Sequence, residues 1–469
     1  MRNNMKPYLV LLILGLFMAG ICFCLCPGNA IASASEPVCK MVSSGVAPRD
    51  ADFMRLRPVE LTWPTTAFNS SQMQVAVETT GDLLIDDMED PNDTGWAFYH
   101  ADAGSGAADN IYGVIGLGLL RAYNMTKDKS GADITAGKPE YLTTAGKVAD
   151  AIVDGNFALQ ATDYMFLYVY ADVSGITSYE TEADNGLTSL IAGRTPAQLA
   201  TDLDANYADQ GRIWQLANWV EAFQFYDTSY ADAIVDSIVL DGNDYVTAGS
   251  GADKVGGFVY DTTNNYVRTL DQARMVEVLT KHYSTTYATE ITEGLALLKD
   301  LQYNNGYFRW GCQLNANDVT LFTSVVAQDQ AFAARALAFN AQTTNDNYDD
   351  RIGTYWAANA LLNMQDTGGG FTTNSLTDNI SEYNAEALLA LHASCREGDV
   401  DRTGKVMAGD ALSALKAAVG MQDLSGPALL NADRNGDGSI TAGDALQILQ
   451  ASVGKDVLVT HGDDIALTP

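Results

Sequence analysis

Leu301-Gln302-Tyr303-Asn304-Asn305-Gly306-Tyr307-Phe308 closes a helix-like stretch with a glycine-aromatic turn, and Met364-Gln365-Asp366-Thr367-Gly368-Gly369-Gly370-Phe371 repeats the phrase. In such a turn glycine takes the left-handed conformation that ends a helix, and the aromatic plugs the gap between neighbouring hairpins. Looser versions stand at Thr94-Gly95-Trp96-Ala97-Phe98, Gly155-Asn156-Phe157 and Gly256-Gly257-Phe258, so the phrase recurs about every 48 to 60 residues between about 70 and 395. The stretches that begin near Asp109, Asp163, Arg212, Asp271, Asp329 and Glu382 are rich in Ala, Leu and Val almost all the way round. A helix apolar on every face is a buried one. Their partners, near 70–88, 140–155, 194–206, 227–240, 286–302 and 347–364, mix charges with apolar residues at i, i+3, i+4 spacing, as half-exposed helices do. The alternation predicts an all-α fold: an (α/α)6 toroid of helical hairpins, its inner helices surrounding an axis and opening their N-termini onto one face.

The two quoted turns resemble the Gln-x-x-x-Gly-aromatic repeat of the terpenoid-cyclase and prenyltransferase class of toroids, a class that includes polysaccharide lyases and glycoside hydrolases. The resemblance covers some 320 residues and implies architecture more than chemistry.

The chain around the toroid divides readily. Arg2 and Lys6 precede an apolar run from Tyr8 to Cys26, and Ala32-Ser33-Ala34 offers a small-residue cleavage site, so residues 1–34 read as a signal peptide, with an uncleaved anchor as the alternative. Residues 35–69 form an N-terminal extension, 70–395 the toroid, 396–457 a calcium module and 458–469 a tail. The formal net charge of −32 becomes more negative once Arg2 and Lys6 leave, which disfavours nucleic acid and anionic membranes as partners. No second apolar run is long enough to span a bilayer, so no membrane insertion is expected after cleavage. The mature chain keeps Cys39, Cys312 and Cys395, of which only two can pair with each other, and the sequence does not choose them.

After Cys395 two loop-helix units follow each other at a spacing of 34 residues. A calcium loop needs oxygen ligands at positions 1, 3, 5, 7 and 12 and a glycine at 6. The second unit supplies Asp433, Asn435, Asp437, the Ser439 carbonyl and Asp444, around Gly438 as its bend. In the first unit Asp399, Asp401, the Lys405 carbonyl and Asp410 keep the frame, Thr403 takes position 5 and Met407 takes position 9, so weaker binding is expected there. Aspartate at position 12 and a single helix after each loop resemble the type I dockerin family. That resemblance implies Ca2+-dependent folding and a cohesin-bearing scaffold protein as partner, but Ala408-Gly409 and Ala442-Gly443 stand where the family has polar pairs, which leaves open docking of the module on its own toroid instead. The stripes Leu412, Leu415, Val419 and Leu446, Leu449, Val453 are expected to build the module's core.

Chemistry in such a toroid belongs at the mouth of the inner ring. The candidate catalytic acids there are Asp109, Asp163, Asp271, Asp329 and Glu382, because glycoside hydrolysis needs two carboxylates flanking the bond. The candidate substrate-binding residues are His100, Tyr164, Arg212, Trp214 and Tyr383. The competing reading of the acids is helix capping, which aspartate serves well at a helix start. Isoprenoid chemistry started by protonation is disfavoured by the lack of an Asp-x-Asp-Asp run, and zinc chemistry by the wide spacing of His100, His282, His392 and His461. The expectation is a secreted carbohydrate-active toroid, a polysaccharide hydrolase or lyase carried by a dockerin-like module. Its rival is a non-catalytic glycan- or protein-binding component of an extracellular assembly.

Overall fold

The computed structural model describes residues 70–88, 111–130, 133–135, 137–155, 159–207, 212–240, 244–316, 318–343, 348–371, 380–395, 398–401, 406–434 and 439–453. The signal peptide, the N-terminal extension, the turn at 94–98, His100, Asp109, Thr403, Lys405, Asn435, Asp437 and the C-terminal tail lie outside the described residues.

Six buried helices form the inner ring: α2 (Tyr112–Met125), α4 (Ala161–Ser174), α7 (Arg212–Gln224), α9 (Thr269–His282), α11 (Ala327–Thr343) and α13 (Ser381–Ala393). Each packs on the next in chain order, and α13 packs back on α2, which closes the ring. The outer layer is α1 (Ser70–Met88), α3 (Pro139–Asp154), α8 (Thr228–Val239), α10 (Ala288–Leu301) and α12 (Tyr348–Leu362). The third hairpin has two outer helices, α5 (Ser178–Ile191) and α6 (Pro196–Asn206). The sequence reading has no helix at α5, which buries only Ala183 and Leu187, a stripe too thin for periodicity to announce.

The quoted turns prove to be joints between hairpins. Gly306 and Gly369 sit at φ of 90° and 94°. A Cβ there would stand 2.2 Å from the Trp356 carbonyl oxygen and 2.7 Å from that of Thr79, so each glycine lets the turn lie on the backbone of the next outer helix. Phe308 and Phe371 are fully buried, each stabilising by roughly 1.5–3 kcal/mol. The Gln302 amide donates to the Gly353 carbonyl on α12 at 3.0 Å. Gln365 donates to the Ala76 carbonyl at 2.8 Å and to the Thr80 hydroxyl at 2.7 Å, both on α1, and so ties the last hairpin to the first. From the inner side, Gln330 accepts the Phe308 N–H and Asn384 accepts the Phe371 N–H, each at 2.8 Å.

The frame is helical as expected, with short strands added in its loops. Gly256-Gly257-Phe258 is not a turn but part of strand β4 (Val255–Phe258), paired antiparallel to β3 (Tyr245–Ala248). Gln272 nonetheless accepts the Phe258 N–H at 2.9 Å, the same clamp in a different backbone. A three-stranded sheet of β5 (Tyr266–Arg268), β6 (Gly311–Asn315) and β7 (Asp318–Leu321) stands at the N-terminal ends of the inner helices, because β5 runs directly into α9. Strands β1 (Asp128–Ser130) and β2 (Asp133–Thr135) form a hairpin after α2. Cys312 is a buried free thiol.

The C-terminal module consists of α14 (Ala408–Ala418), β8 (Leu424–Ser425), α15 (Gly426–Ala432) and α16 (Ala442–Ser452). Its core corrects the sequence reading. Ala411, Ala414, Ala417, Ala445 and Ile448 face inward with Val400, Leu429 and Ile440, while Leu412, Leu415, Val419, Leu446, Leu449 and Val453 are exposed. The helices α14 and α16 pack on each other through small residues, which leaves the large ones pointing out. No helix among the described residues is long and apolar enough to cross a membrane.

Candidate active site and calcium loops

Three of the candidate acids occupy one structural slot. Asp163, Asp271 and Asp329 each sit at the third position of an inner helix and reach the backbone of the preceding inner helix. Asp163 accepts the Gly113 N–H at 2.8 Å, Asp271 the Trp214 N–H at 2.8 Å and Asp329 the Leu270 N–H at 2.9 Å. These bonds satisfy orphan donors at helix N-termini and lace the ring together at its mouth. The three differ in what remains. Asp163 uses its second oxygen on the Gln160 N–H at 2.7 Å. The second oxygens of Asp271 and Asp329 are buried and make no hydrogen bond.

Arg268, at the end of β5, lies among the acids of the mouth. Its Nε is 3.3 Å from Asp329 and its Nη2 donates to Gln328 at 3.1 Å. Its charge also acts on Asp271, Glu382 and Glu386. Glu382 and Glu386 lie one turn apart on α13, on the same helix face, and both line the axial cavity. Glu386 accepts from the Gln328 amide at 3.2 Å, while its other oxygen is buried without a hydrogen bond. Arg268 thus acts on four buried carboxylates, helped by Arg335 at Glu386 and by Arg212 at Asp271, and burial opposes the ionisation of all of them together. Burial pushes Glu382 up to about 7 against the pull of Arg268. Burial and then the charge of Glu382 raise Glu386 well above the usual carboxylate range. Burial likewise lifts Asp329 to about 6, Asp163 to about 7 and Asp271 upward.

Deeper along the axis the balance reverses. Arg274 contacts Glu221 and stands 3.0 Å from Glu277, Lys281 stands 2.8 Å from Glu221 and 3.0 Å from Glu277, and Arg335 stands 2.7 Å from Glu277. Burial works to raise Glu277, but Arg335, Lys281 and Arg274 together outweigh it and hold it below the usual range. The space left along the axis is about 60 Å³, room for a handful of waters at ~10–15 Å³ each.

Of the expected substrate-binding residues, Trp214 lines the cavity, with its indole N–H buried and unbonded. The other described ones do not. Tyr164 packs against Trp219 with ring centroids 5.8 Å apart, Arg212 is tied to Asp204 and Asp244, and Tyr383 is buried with its hydroxyl making no hydrogen bond. Tyr164 and Arg212 are held inside the fold by partners the sequence could not show. Residues that the sequence reading missed are Arg268, Glu386 and a half-buried aromatic group at the sheet. Arg268 lies over Trp310, 6.0 Å from the ring centroid, and Trp310 packs against Tyr260 and Phe322 at 5.7 and 5.6 Å. The spacing of Glu382 and Glu386 was a usable signal, whereas the strand that delivers Arg268 was not.

In the module, the Asp399, Asp401 and Asp410 carboxylates lie within 4.8 Å of one another. Three acids so close repel unless a cation joins them, and a set of hard oxygens suits calcium. Asp410 also accepts the Asp401 and Met407 N–H groups at 3.0 and 2.8 Å. In the second loop Asp444 accepts the Arg434 and Thr441 N–H groups at 3.0 and 2.7 Å. Asp433 and Ser439 are the other described ligand positions there.

Comparison with known proteins separates the two parts. No curated protein matches the chain. Among solved structures, an unsaturated glucuronyl hydrolase specific for heparin is similar at 13% identity and a TM-score of 0.49, covering 70% of this chain and 97% of its own. A possible member of the GH105 family from Salmonella enterica serovar Paratyphi A is 11% identical with a TM-score of 0.45, covering 71% and 96%. A polysaccharide lyase is 13% identical with a TM-score of 0.43, covering 69% and 96%. Identities this low are no evidence of shared chemistry. Residues 397–451 match the family model described as Dockerin type I domain, and the chain is therefore a ring of helical hairpins that carries a dockerin type I module at its C-terminal end.

Proposed function

We propose that the toroid is the catalytic domain of a secreted carbohydrate-active enzyme, a polysaccharide hydrolase or lyase, and that the dockerin module attaches it to an extracellular assembly. The observation that carries this reading is the mouth cluster of Asp271, Asp329, Glu382 and Glu386 around Arg268. A site that holds a proton near neutral pH beside an ionised carboxylate is what glycosidic bond cleavage requires. Glu382, which lines the cavity and which burial raises to about 7, is the proton donor. Asp329, kept ionised above about pH 6 with the help of Arg268, and Asp271 are the candidates for the anionic partner. Trp214 and the Trp310 group supply flat apolar surface beside them.

In the module, Asp399, Asp401 and Asp410, with Thr403 and the Lys405 carbonyl, are assigned to one Ca2+, and Asp433, Asn435, Asp437, Ser439 and Asp444 to a second. The exposed stripes of α14 and α16 offer the face for a cohesin-type domain on a scaffold protein. One observation favours the rival, a non-catalytic binding role: Glu221, Arg274, Glu277, Lys281 and Arg335 are each held in an ion pair of the deeper network, as in a purely structural core.

The test is a reducing-sugar and unsaturated-product assay of the calcium-loaded protein against a broad polysaccharide panel. Product from one glycan, abolished in Glu382→Gln, supports the enzyme. A folded, loaded protein inert across the panel supports the rival.

A further inference from the structure

The module does not hang from the toroid on a tether. Strand β8 adds to the β1–β2 hairpin in antiparallel register, Asp128 opposite Ser425 and Lys129 opposite Leu424. Helix α15 packs against α1 and α2, the first hairpin of the ring. From α15 the Asn431 amide donates to the Asp399 carbonyl at 2.6 Å, and the Asn431 carbonyl accepts the Gly398 N–H at 2.6 Å. From the other side the Tyr355 hydroxyl, on outer helix α12 of the last hairpin, donates to the Asp399 carboxylate at 2.8 Å, with both residues buried. The start of the first calcium loop is thus held directly by the last hairpin and, through α15, by a helix that packs on the first, across the seam where the ring closes.

We propose that the first calcium loop is the fastening of a clasp over this seam, with Tyr355 as a positioning residue for the Asp399 ligand, so that calcium bound in the module stabilises the toroid. The chemistry is direct. A hydroxyl donating to one oxygen of a ligand carboxylate fixes its orientation toward the ion. Thr403 and Met407 leave this loop short of side-chain ligands, and the toroid supplies the ordering that its own sequence lacks. By linkage, whatever the toroid gives to calcium affinity, calcium returns to the toroid.

Of the six tryptophans, 96, 214, 219, 310 and 356 lie in the toroid, 63 in the extension before it and none in the module, so tryptophan fluorescence of the full chain does not report unfolding of the module itself. Calcium at about 100 times its Kd is expected to raise the fluorescence midpoint by about 4 °C or more over the chelated protein. Tyr355→Phe is expected to weaken one of the two calcium affinities read by calorimetry about 10-fold or more, leave the other unchanged, and shrink the shift by at least half. Asp399→Asn is expected to abolish the shift. A wild-type toroid whose midpoint ignores calcium while calorimetry shows the module loaded would overturn the clasp. So would a Tyr355→Phe protein with both affinities and the full shift intact, or an Asp399→Asn protein that keeps the shift.

Discussion

Two groups of buried carboxylates lie along one axis and differ in company. At the mouth, Asp271, Asp329, Glu382 and Glu386 share Arg268. Deeper in, Glu221 and Glu277 share Arg274, Lys281 and Arg335. Burial works on both groups in the same direction, so the count of nearby cations decides the outcome: Glu277 falls below the usual carboxylate range, and Glu382 and Glu386 rise above it. A group that cannot release all its protons stores one for chemistry, and a group that is fully neutralised stores stability. Arg335, which also acts on Glu386, stands at the border of the two.

Glu382→Gln breaks the comparison from the functional side. Turnover is expected to fall about 10²–10⁴-fold, with a melting midpoint no lower than that of the parent, because an amide carries no charge to bury. Glu277→Gln is the opposite case. Leaving Arg274, Lys281 and Arg335 short of a buried partner is expected to cost about 3–5 kcal/mol of stability in denaturant titration, with turnover of the remaining folded protein retained.

The two groups also have opposite pH signatures. Carboxyls raised in the fold, such as Glu382 and Asp163 near 7, contribute stability present below their unfolded pKa and lost as pH rises through about 7. Glu277, lowered, contributes stability present above its unfolded pKa and lost as pH falls through its folded one. The Glu382→Gln protein is therefore expected to lose less stability between about pH 5 and 8 than the parent does, and Glu277→Gln to lose the acid-side decline.

The aspartates that lace the mouth sharpen the contrast within one residue type. Asp163, both of whose oxygens accept backbone N–H groups, is expected to cost about 1–3 kcal/mol as Asp163→Ala, with little effect on turnover per folded molecule. Gly369→Ala tests the seam itself. The left-handed φ and the contact with the Thr79 carbonyl are expected to cost about 1–2 kcal/mol.

The ring could be read from the sequence because its signals are local. A helix apolar on all sides marks itself, and so does Gln-x-x-x-Gly-aromatic, whose glutamine, glycine and aromatic each prove to hold a joint. The recurrence of Asp163, Asp271 and Asp329 at helix starts was visible as well, but its meaning lay in the neighbouring helix some 50 residues away in sequence. Arg268 was hidden because a strand, not a helix, brings it to the mouth. The module's core was misread because α14 and α16 carry apolar residues on two faces, and only their packing shows that the alanines turn inward.

The central claim is that the mouth cluster holds a proton at neutral pH. Infrared spectroscopy of the folded protein at about pH 7 reads this directly, since a neutral carboxyl has a C=O stretch distinct from that of a carboxylate. The account expects that band in the parent protein, diminished in Glu386→Gln and intact in Glu277→Gln. A parent protein with no neutral carboxyl at that pH would contradict it.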